Sequence, residues 1–378
     1  MTVPAIHQLL PSFVPGDAIG THVRLLSRLL REAGVESKTY VTTCHPSLRA
    51  ECAPYRKASL GAEDVLLYHL SCADGLVGWL LGQPQRLLVD YHNITEPKWF
   101  DRWAPLAAHD MRLARVQLGA LAPRAEAAFA HSRFSADELE ANGYHPVGVA
   151  PLLFALPPRA ERPQRPVPER GARWLFVGRL APNKCQQAII GALAAARRGT
   201  DPQASLTLVG GSAFGAYVSA LHHLAADLGV ADAVTFAGHV PDAELEAAYR
   251  EADVFVCLSR HEGFGAPVVE AMARGVPVVA LRAAAVGETA GDAALVLDDD
   301  DPAVVAAAVA HLATHPDLVV RLRAAGSARA AGFAPGRAGP TLVDHLLHLV
   351  GGKGSAGSAD RLPPCTRNDS GPTSRASS

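Results

Sequence analysis

Glu262 and Glu270 stand with seven residues between them, in a stretch that also holds Gly263, Phe264 and Gly265. Just before them VFVCLS is a short apolar, β-branched run that reads as a buried parallel strand. It breaks into a polar loop at 260–266, and a helix is expected from Pro267, whose fixed φ and missing N–H suit a first helical position. A loop that opens onto a helix N-terminus offers backbone amides at the positive end of the helix dipole, where anions bind. Gly263 and Gly265 let a ligand come close to the backbone. Carboxylates beside an anion site accept hydrogen bonds from hydroxyl groups. With phosphate on the amides and sugar and ribose hydroxyls on the acids, the ligand that fits is a sugar nucleotide.

Other residues carry chemistry of the same kind. GRLAPNK, with Arg179 and Lys184, follows a strand and opens a helix. Two fixed cations beside helix amides can stabilise the negative charge that develops on a departing diphosphate without a metal. His92 lies in LLVDYHNITEP, just past a strand. In PGDAIG, the residues Gly16, Asp17 and Gly20 follow the first strand and precede a helix, so their amides can face a cleft. The Asp-x-Asp pattern that would hold Mn or Mg occurs only within 298–301, before Pro302, where it reads as a solvated helix N-terminus. No metal and no other cofactor are expected. Each residue also has a plainer use: an acid near a helix start complements the dipole, and charges at strand ends are mostly solvated. A lone His is more often a satisfied structural residue than a catalytic one.

EGFGAPVVEAMARGVPVVA resembles the signature of the retaining, nucleotide-sugar-dependent glycosyltransferases numbered family 4, which have the two-domain GT-B fold. The sequence departs at Ala266, where that family more often has Leu, and it lacks the two adjacent glycines usual near Gly16. The resemblance is strong over 174–326 and weak in the first domain. It implies that Arg179 and Lys184 clamp the donor diphosphate and that Glu270 takes the ribose hydroxyls. Gly263, Phe264 and Gly265 would line the donor pocket. Glu262 would act at the hexose near the reacting carbon, and His92 would face the donor sugar from the other domain, both in catalytic roles. Gly16, Asp17 and Gly20 would line the cleft. The implied reaction moves a glycosyl group, with retention, from a nucleotide-diphosphate sugar to the hydroxyl of a polar, sugar-like acceptor: a cell-surface glycan, a lipid-linked sugar or an aminocyclitol. Two other readings use the same pocket, a sugar-nucleotide-binding module without catalysis and a sugar-nucleotide epimerase.

The elements that must position these residues alternate between strand and helix patterns, which implies α/β architecture with parallel sheets; the resemblance implies two Rossmann-like domains of the GT-B type facing each other across a cleft. The 378 residues divide into an acceptor-side domain at 1–154, a Pro- and Arg-rich linker at 155–172 and a nucleotide-sugar domain at 173–333. By the same resemblance a helix at 334–350 is expected to cross back to the first domain, and composition then gives a disordered tail at 351–378. A first strand at 4–10, a loop at 11–20 and a capping box of Ser135 with Glu138 are read in the first half. A net charge of -2 gives no reason to expect nucleic acid. Six cysteines without a C-x-x-C pair, and no signal-peptide pattern or long apolar run, lead to the expectation of a reduced, cytoplasmic protein without a transmembrane segment. Arg24, Arg28, Arg31, Arg112 and Arg115 read as solvated helix faces, so peripheral membrane contact is without support. The abundance of Ala, Arg, Gly and Pro fits a high-GC bacterial genome.

Overall fold

A computed structural model describes residues 4–156 and 171–350. Most of the linker and the whole tail read at 351–378 lie outside the described residues, as does Cys365. The first half runs β1 (Ile6–Phe13), α1 (Ala18–Glu32), β2 (Thr39–Cys44), β3 (Ala53–Pro54), β4 (Val65–Leu70) and α2 (Leu76–Leu81). It continues with β5 (Arg86–Tyr91), α3 (Pro105–Leu121), β6 (Ala127–Ala130), α4 (Arg133–Ala141) and β7 (Val147–Val149). The second half runs β8 (Arg173–Val177), α5 (Gln186–Arg198), β9 (Ser205–Val209), α6 (Gly215–Asp227), β10 (Val234–Gly238) and α7 (Asp242–Glu251). Then come β11 (Val254–Cys257), α8 (Ala266–Ala273), β12 (Val278–Leu281), α9 (Val286–Ala290) and β13 (Leu295–Leu297). Three helices follow, α10 (Pro302–Thr314), α11 (Pro316–Ala331) and α12 (Pro335–Val350).

Among the described residues every strand pairing is parallel, in a seven-stranded sheet of order β3-β2-β1-β4-β5-β6-β7 and a six-stranded sheet of order β10-β9-β8-β11-β12-β13. Both are open sheets whose strand order reverses beside the first strand, so loops at the carboxyl ends line a crevice. β4, β11 and β12 are buried along their whole length, which is why their sequences are continuous apolar runs with little alternation. The register sets His69 opposite Asp90 and Tyr91 opposite Ala130, so the strand ends at His69, His92 and His131 come level.

Helix α12 packs Leu342, Val343, Leu346 and Val350 into the first domain's core with Ile6, Leu26, Leu30 and Phe129. Arg86 donates to the carbonyls of Leu349 and Val350 at 2.7 and 2.8 Å, closing the helix C-terminus. Phe100 and Trp103, after β5, pack on Phe214 and Tyr217 of the second half, with ring centroids 5.0 and 5.3 Å apart. Among the described residues no single helix is long and apolar enough to cross a membrane. A bent pair, Pro302–Thr314 with Pro316–Val350, has the length and composition, but its large apolar residues such as Val305, Leu312 and Leu346 are buried in the two cores.

Several local expectations are corrected. β1 extends to Phe13 and α1 begins at Ala18, because the Asp17 carboxylate caps the helix at the Gly20 amide, 3.0 Å away. Gly20 is therefore a buried residue of the first helical turn with its amide taken, rather than part of an anion-binding loop. The cap of α4 is Ser132, not Ser135, and Glu138 turns inward to Tyr91 and Arg115 instead of reaching back to the cap. Helix α8 begins one residue early, with Pro267 second and Gly265 as its cap at φ 93°. The helix after GRLAPNK starts at Gln186, following a 3₁₀ turn, Pro182–Lys184, and Cys185 at φ 54°.

Candidate active site between the two sheets

β11 delivers the chain to Arg260, and the loop runs to Gly265 with no side chain capping α8. Glu262 pairs with the ammonium of Lys184, which the turn after β8 places beside it although the two are 78 residues apart in sequence. Both are largely buried, with side-chain exposures of 12 and 16%. Glu270 sits one turn into α8 and accepts a hydrogen bond from the Tyr249 hydroxyl at 3.0 Å. Burial raises its carboxyl above the ordinary range, against the lowering effects of Arg274 and Tyr249. Arg179 is exposed, its guanidinium 5.9 Å from the centre of the Phe214 ring. Asp17 faces it from the first domain: burial raises the Asp17 carboxyl, while the amides it caps and the Arg179 charge pull it down. Gly16 is exposed at φ 74°.

The Glu262 loop is pressed against the first domain. A Cβ on Gly263 would lie 2.5 Å from Asn93 Cβ and 2.9 Å from the His92 carbonyl oxygen, so only glycine fits there. The Gly263 carbonyl accepts from Ser132 Oγ at 2.8 Å, and Asn93 Oδ1 lies 2.6 Å from His261 Nε2. Asn93 has φ 71°, a conformation rare outside glycine, and its amide nitrogen is held by Ser135 at 3.1 Å and Glu138 at 3.3 Å. The Glu288 carboxylate accepts from the free Arg133 amide at the start of α4, at 2.8 and 2.9 Å. These contacts lock the Glu262 loop onto the carboxyl ends of β5 and β6.

His92 does not stand alone in the cleft wall. Its Nε2 is 3.0 Å from His69 Nδ1 and its Nδ1 3.1 Å from His131 Nε2, and its side chain is 3% exposed. With His22 these rings surround the buried Asp90, whose carboxylate lies 3.1 Å from His22, 3.0 Å from His131 and 3.2 Å from His69. Burial pushes the Asp90 carboxyl up, but His131 and His92 outweigh it and hold it well below the usual carboxylate range. Burial holds His92 well below its ordinary value and takes His22 down to about 4. For His131 burial is outweighed by Asp90, and its value is raised. Among the described residues two groupings, His22–Asp90–His131 and His69–Asp90–His92, bring potential ligand atoms within 4.8 Å of one another. The aspartates at 298–301 do not form such a group: Asp298 pairs with Arg282, Asp300 with Arg260, and Asp301 caps α10.

Arg179, Lys184, Glu262 to Gly265 and Glu270 are thus gathered at the carboxyl end of the second sheet, with Asp17 and His92 across from them. Sequence reasoning missed Asp90, Asn93, His22, His69, Ser132, His131, His261 and Glu288. One signal was readable: a histidine stands at the end of each of three successive strand patterns, YHL, DYH and FAH.

Residues 159–329 match the family described as glycosyl transferases group 1. The GDP-mannose-dependent alpha-(1-6)-phosphatidylinositol monomannoside mannosyltransferase of Mycobacterium tuberculosis is 37% identical over 240 residues, 59% of this chain and 60% of that protein. The D-inositol 3-phosphate glycosyltransferase of Corynebacterium efficiens is 37% identical over 152 residues, 39% of this chain and 36% of that protein. The chain thus spans about 60% of the length of the mannosyltransferase it matches. Among solved structures, sucrose-phosphate synthase from Thermosynechococcus elongatus superposes with TM-score 0.72 at 20% identity, over 92% of this chain and 99% of that one. Anabaena HepE in complex with UDP and glucose gives 0.69 at 20% identity, over 90 and 99%. The chain has the GT-B fold, and its residues 159–329 are similar to the group 1 glycosyl transferases.

Proposed function

We propose that the protein transfers a glycosyl group from a nucleoside-diphosphate sugar to an acceptor hydroxyl, with retention at the anomeric carbon and without a metal. The observation that carries this reading is the Lys184–Glu262 pair at the uncapped start of α8, a cation and an acid poised side by side next to helix amides. In the proposed complex Lys184 and Arg179 turn to the diphosphate and stabilise the charge that develops on it. Glu262 is released to a sugar hydroxyl, and Glu270 takes the ribose. Gly263, Phe264 and Gly265 line the donor, with Gly16 and Asp17 on the acceptor side. His92 contributes its backbone carbonyl, which abuts Gly263, and the carbon edge of its ring, since both nitrogens are engaged within the first domain.

The names of the relatives point to GDP-mannose as donor and to an inositol-bearing acceptor, while HepE was solved with UDP. The described cysteines are free thiols, in keeping with a reducing cytoplasm. The test is turnover of GDP-mannose and UDP-glucose with inositol phosphate as acceptor, with and without EDTA, the product's anomeric configuration being read by NMR. An α-linked product insensitive to EDTA is expected. Epimerised donor without acceptor would replace this reading by an epimerase, and tight donor binding without any product would replace it by a binding module.

A further inference from the structure

The cluster around Asp90 has more titratable groups than a structural core needs, and the backbone fixes most of its protons. The Leu153 amide donates to His22 Nδ1 at 3.0 Å, so that nitrogen carries no proton and Nε2–H donates to Asp90 Oδ2 at 3.1 Å. The Ala150 carbonyl lies 2.9 Å from His131 Nδ1, which therefore carries one. Gln8 donates through Nε2 to the Val23 carbonyl at 3.1 Å, so its Oε1 is what His69 Nε2 meets at 2.9 Å, and that nitrogen too is protonated. Only His131 Nε2, the two nitrogens of His92 and His69 Nδ1 remain. They form a row with links of 3.1 and 3.0 Å, and its two ends lie 3.0 and 3.2 Å from the Asp90 carboxylate.

Four nitrogens in a row with one carboxylate along them are satisfied by two protons. Placed on His131 Nε2 and His92 Nε2, they make His131 a cation against Asp90 and His92 a neutral donor to His69. Placed on His92 Nδ1 and His69 Nδ1, they make His69 the cation and His92 the opposite tautomer. The shorter distance to Asp90 favours the first arrangement. We propose that His131, Asp90 and His69 are positioning residues forming a relay around a single excess proton, which keeps His92 neutral, fixes its tautomer and holds its carbonyl against the Gly263 loop. The role assigned to that carbonyl rests on reading the cleft as the transfer site; the proton arrangement does not. His22 cannot join a metal site without giving up the Leu153 bond, because its Nε2 carries a proton. A cation on His69 Nδ1, His92 Nε2 and Asp90 would instead take the lone pairs of the relay and expel its proton.

The experiment labels the histidines of the full chain with ¹⁵N and reads their tautomers at pH 7 without ligand, with zinc content measured on the same sample. His131 is expected to be protonated on both nitrogens and His92 on Nε2 alone, with no stoichiometric metal. In His131→Ala the His92 signal should become a mixture of tautomers. In His131→Gln, which keeps a donor, it should return towards the parent form, and His69→Gln supplies a second perturbation should His131→Ala not fold. With GDP-mannose, His131→Ala should lower kcat about tenfold or more at nearly unchanged KM, as expected of a misplaced reacting frame, and His131→Gln should recover most of it. A neutral His131, a His92 tautomer indifferent to both substitutions, or one equivalent of zinc on His69 and His92 would each overturn the relay. Failure to turn over GDP-mannose would bear on the transferase reading and leave the tautomer result to decide the relay.

Discussion

Glu262 and Glu270 share a motif but not an environment, and that difference separates their predicted behaviour. Glu270 is buried against Tyr249 with its carboxyl raised above the ordinary range. A group with a raised folded pKa stabilises the fold below its unfolded value, near 4.3, and loses that contribution as pH rises through the folded value. Above that folded value the charged carboxylate is therefore a burden on the fold. Glu270→Gln should keep or raise Tm at pH 7 while raising the donor KM with little change in kcat; a fall in Tm of several degrees would contradict it. Glu262, paired with Lys184, should behave otherwise, with Glu262→Gln lowering kcat. Lys184→Ala should lower transfer roughly a hundredfold, the scale of losing one preorganised charge stabiliser. Near-normal rates in Lys184→Ala would remove the clamp from the mechanism. At this scale the sequence was informative where residues lie within one loop and silent where contacts span domains. The motif displayed Glu262 and Glu270. His22, His69 and His131 lie 47 to 109 residues apart, and nothing local distinguishes such histidines from satisfied core residues.

Among the elements, the alternation of strand and helix was legible because strands buried on both faces must be apolar throughout, as in VLLYHL and VFVC. Boundaries were less so. Ser132 and Ser135 are equally good caps by composition, and the choice fell to Ser132, whose Oγ accepts from the Ser135 amide at 3.2 Å, while both hydroxyls reach the Gly263 carbonyl. The left-handed Asn93 was not legible at all, because its conformation is stabilised by Ser135, Glu138 and His261, none of them near it in sequence. The glycine at 263 was read as room for a ligand; the structure shows that it is also room for Asn93 and the His92 carbonyl. Gly263→Ala should therefore hold the two domains apart. Tm is expected to stay within a few degrees of the parent, transfer to fall by about a hundredfold, and small-angle scattering to report a larger radius of gyration. Unchanged scattering and activity would show that the loop has other ways to seat. Leu346→Ala, which empties a fully buried position on α12 in the first domain's core, should instead destabilise by about 2–5 kcal/mol, measured by urea unfolding of that domain.

Across the whole molecule, acid stability follows from packing four histidines around Asp90 under the interdomain contact. Below pH 6.5 the unfolded chain takes up protons on His22 and His92 that the folded chain refuses, because burial takes His22 to about 4 and holds His92 well below its ordinary value. Stability falls with pH over that window. Asp90 adds nothing to the slope there: its depressed carboxyl keeps its full contribution above the unfolded value near 3.9 and loses it only in stronger acid. His131 acts on the other side. Its value is raised because Asp90 outweighs burial, so its contribution is complete below about pH 6.5 and is lost as pH rises through the folded value. The two limbs set maximum stability near neutrality. At 1.36 kcal/mol per unit, His22 alone removes roughly 3 kcal/mol between pH 6.5 and 4. His22→Gln, which cannot titrate, should lower stability at neutral pH by losing packing yet flatten the acid limb of the urea midpoint against pH, with the alkaline limb keeping its slope. An acid limb as steep in the variant as in the parent would mean that the proton uptake of acid unfolding lies elsewhere. A flattened alkaline limb would mean that His22 and His131 do not titrate as the separate groups their partners, the Leu153 amide and the Ala150 carbonyl, make them.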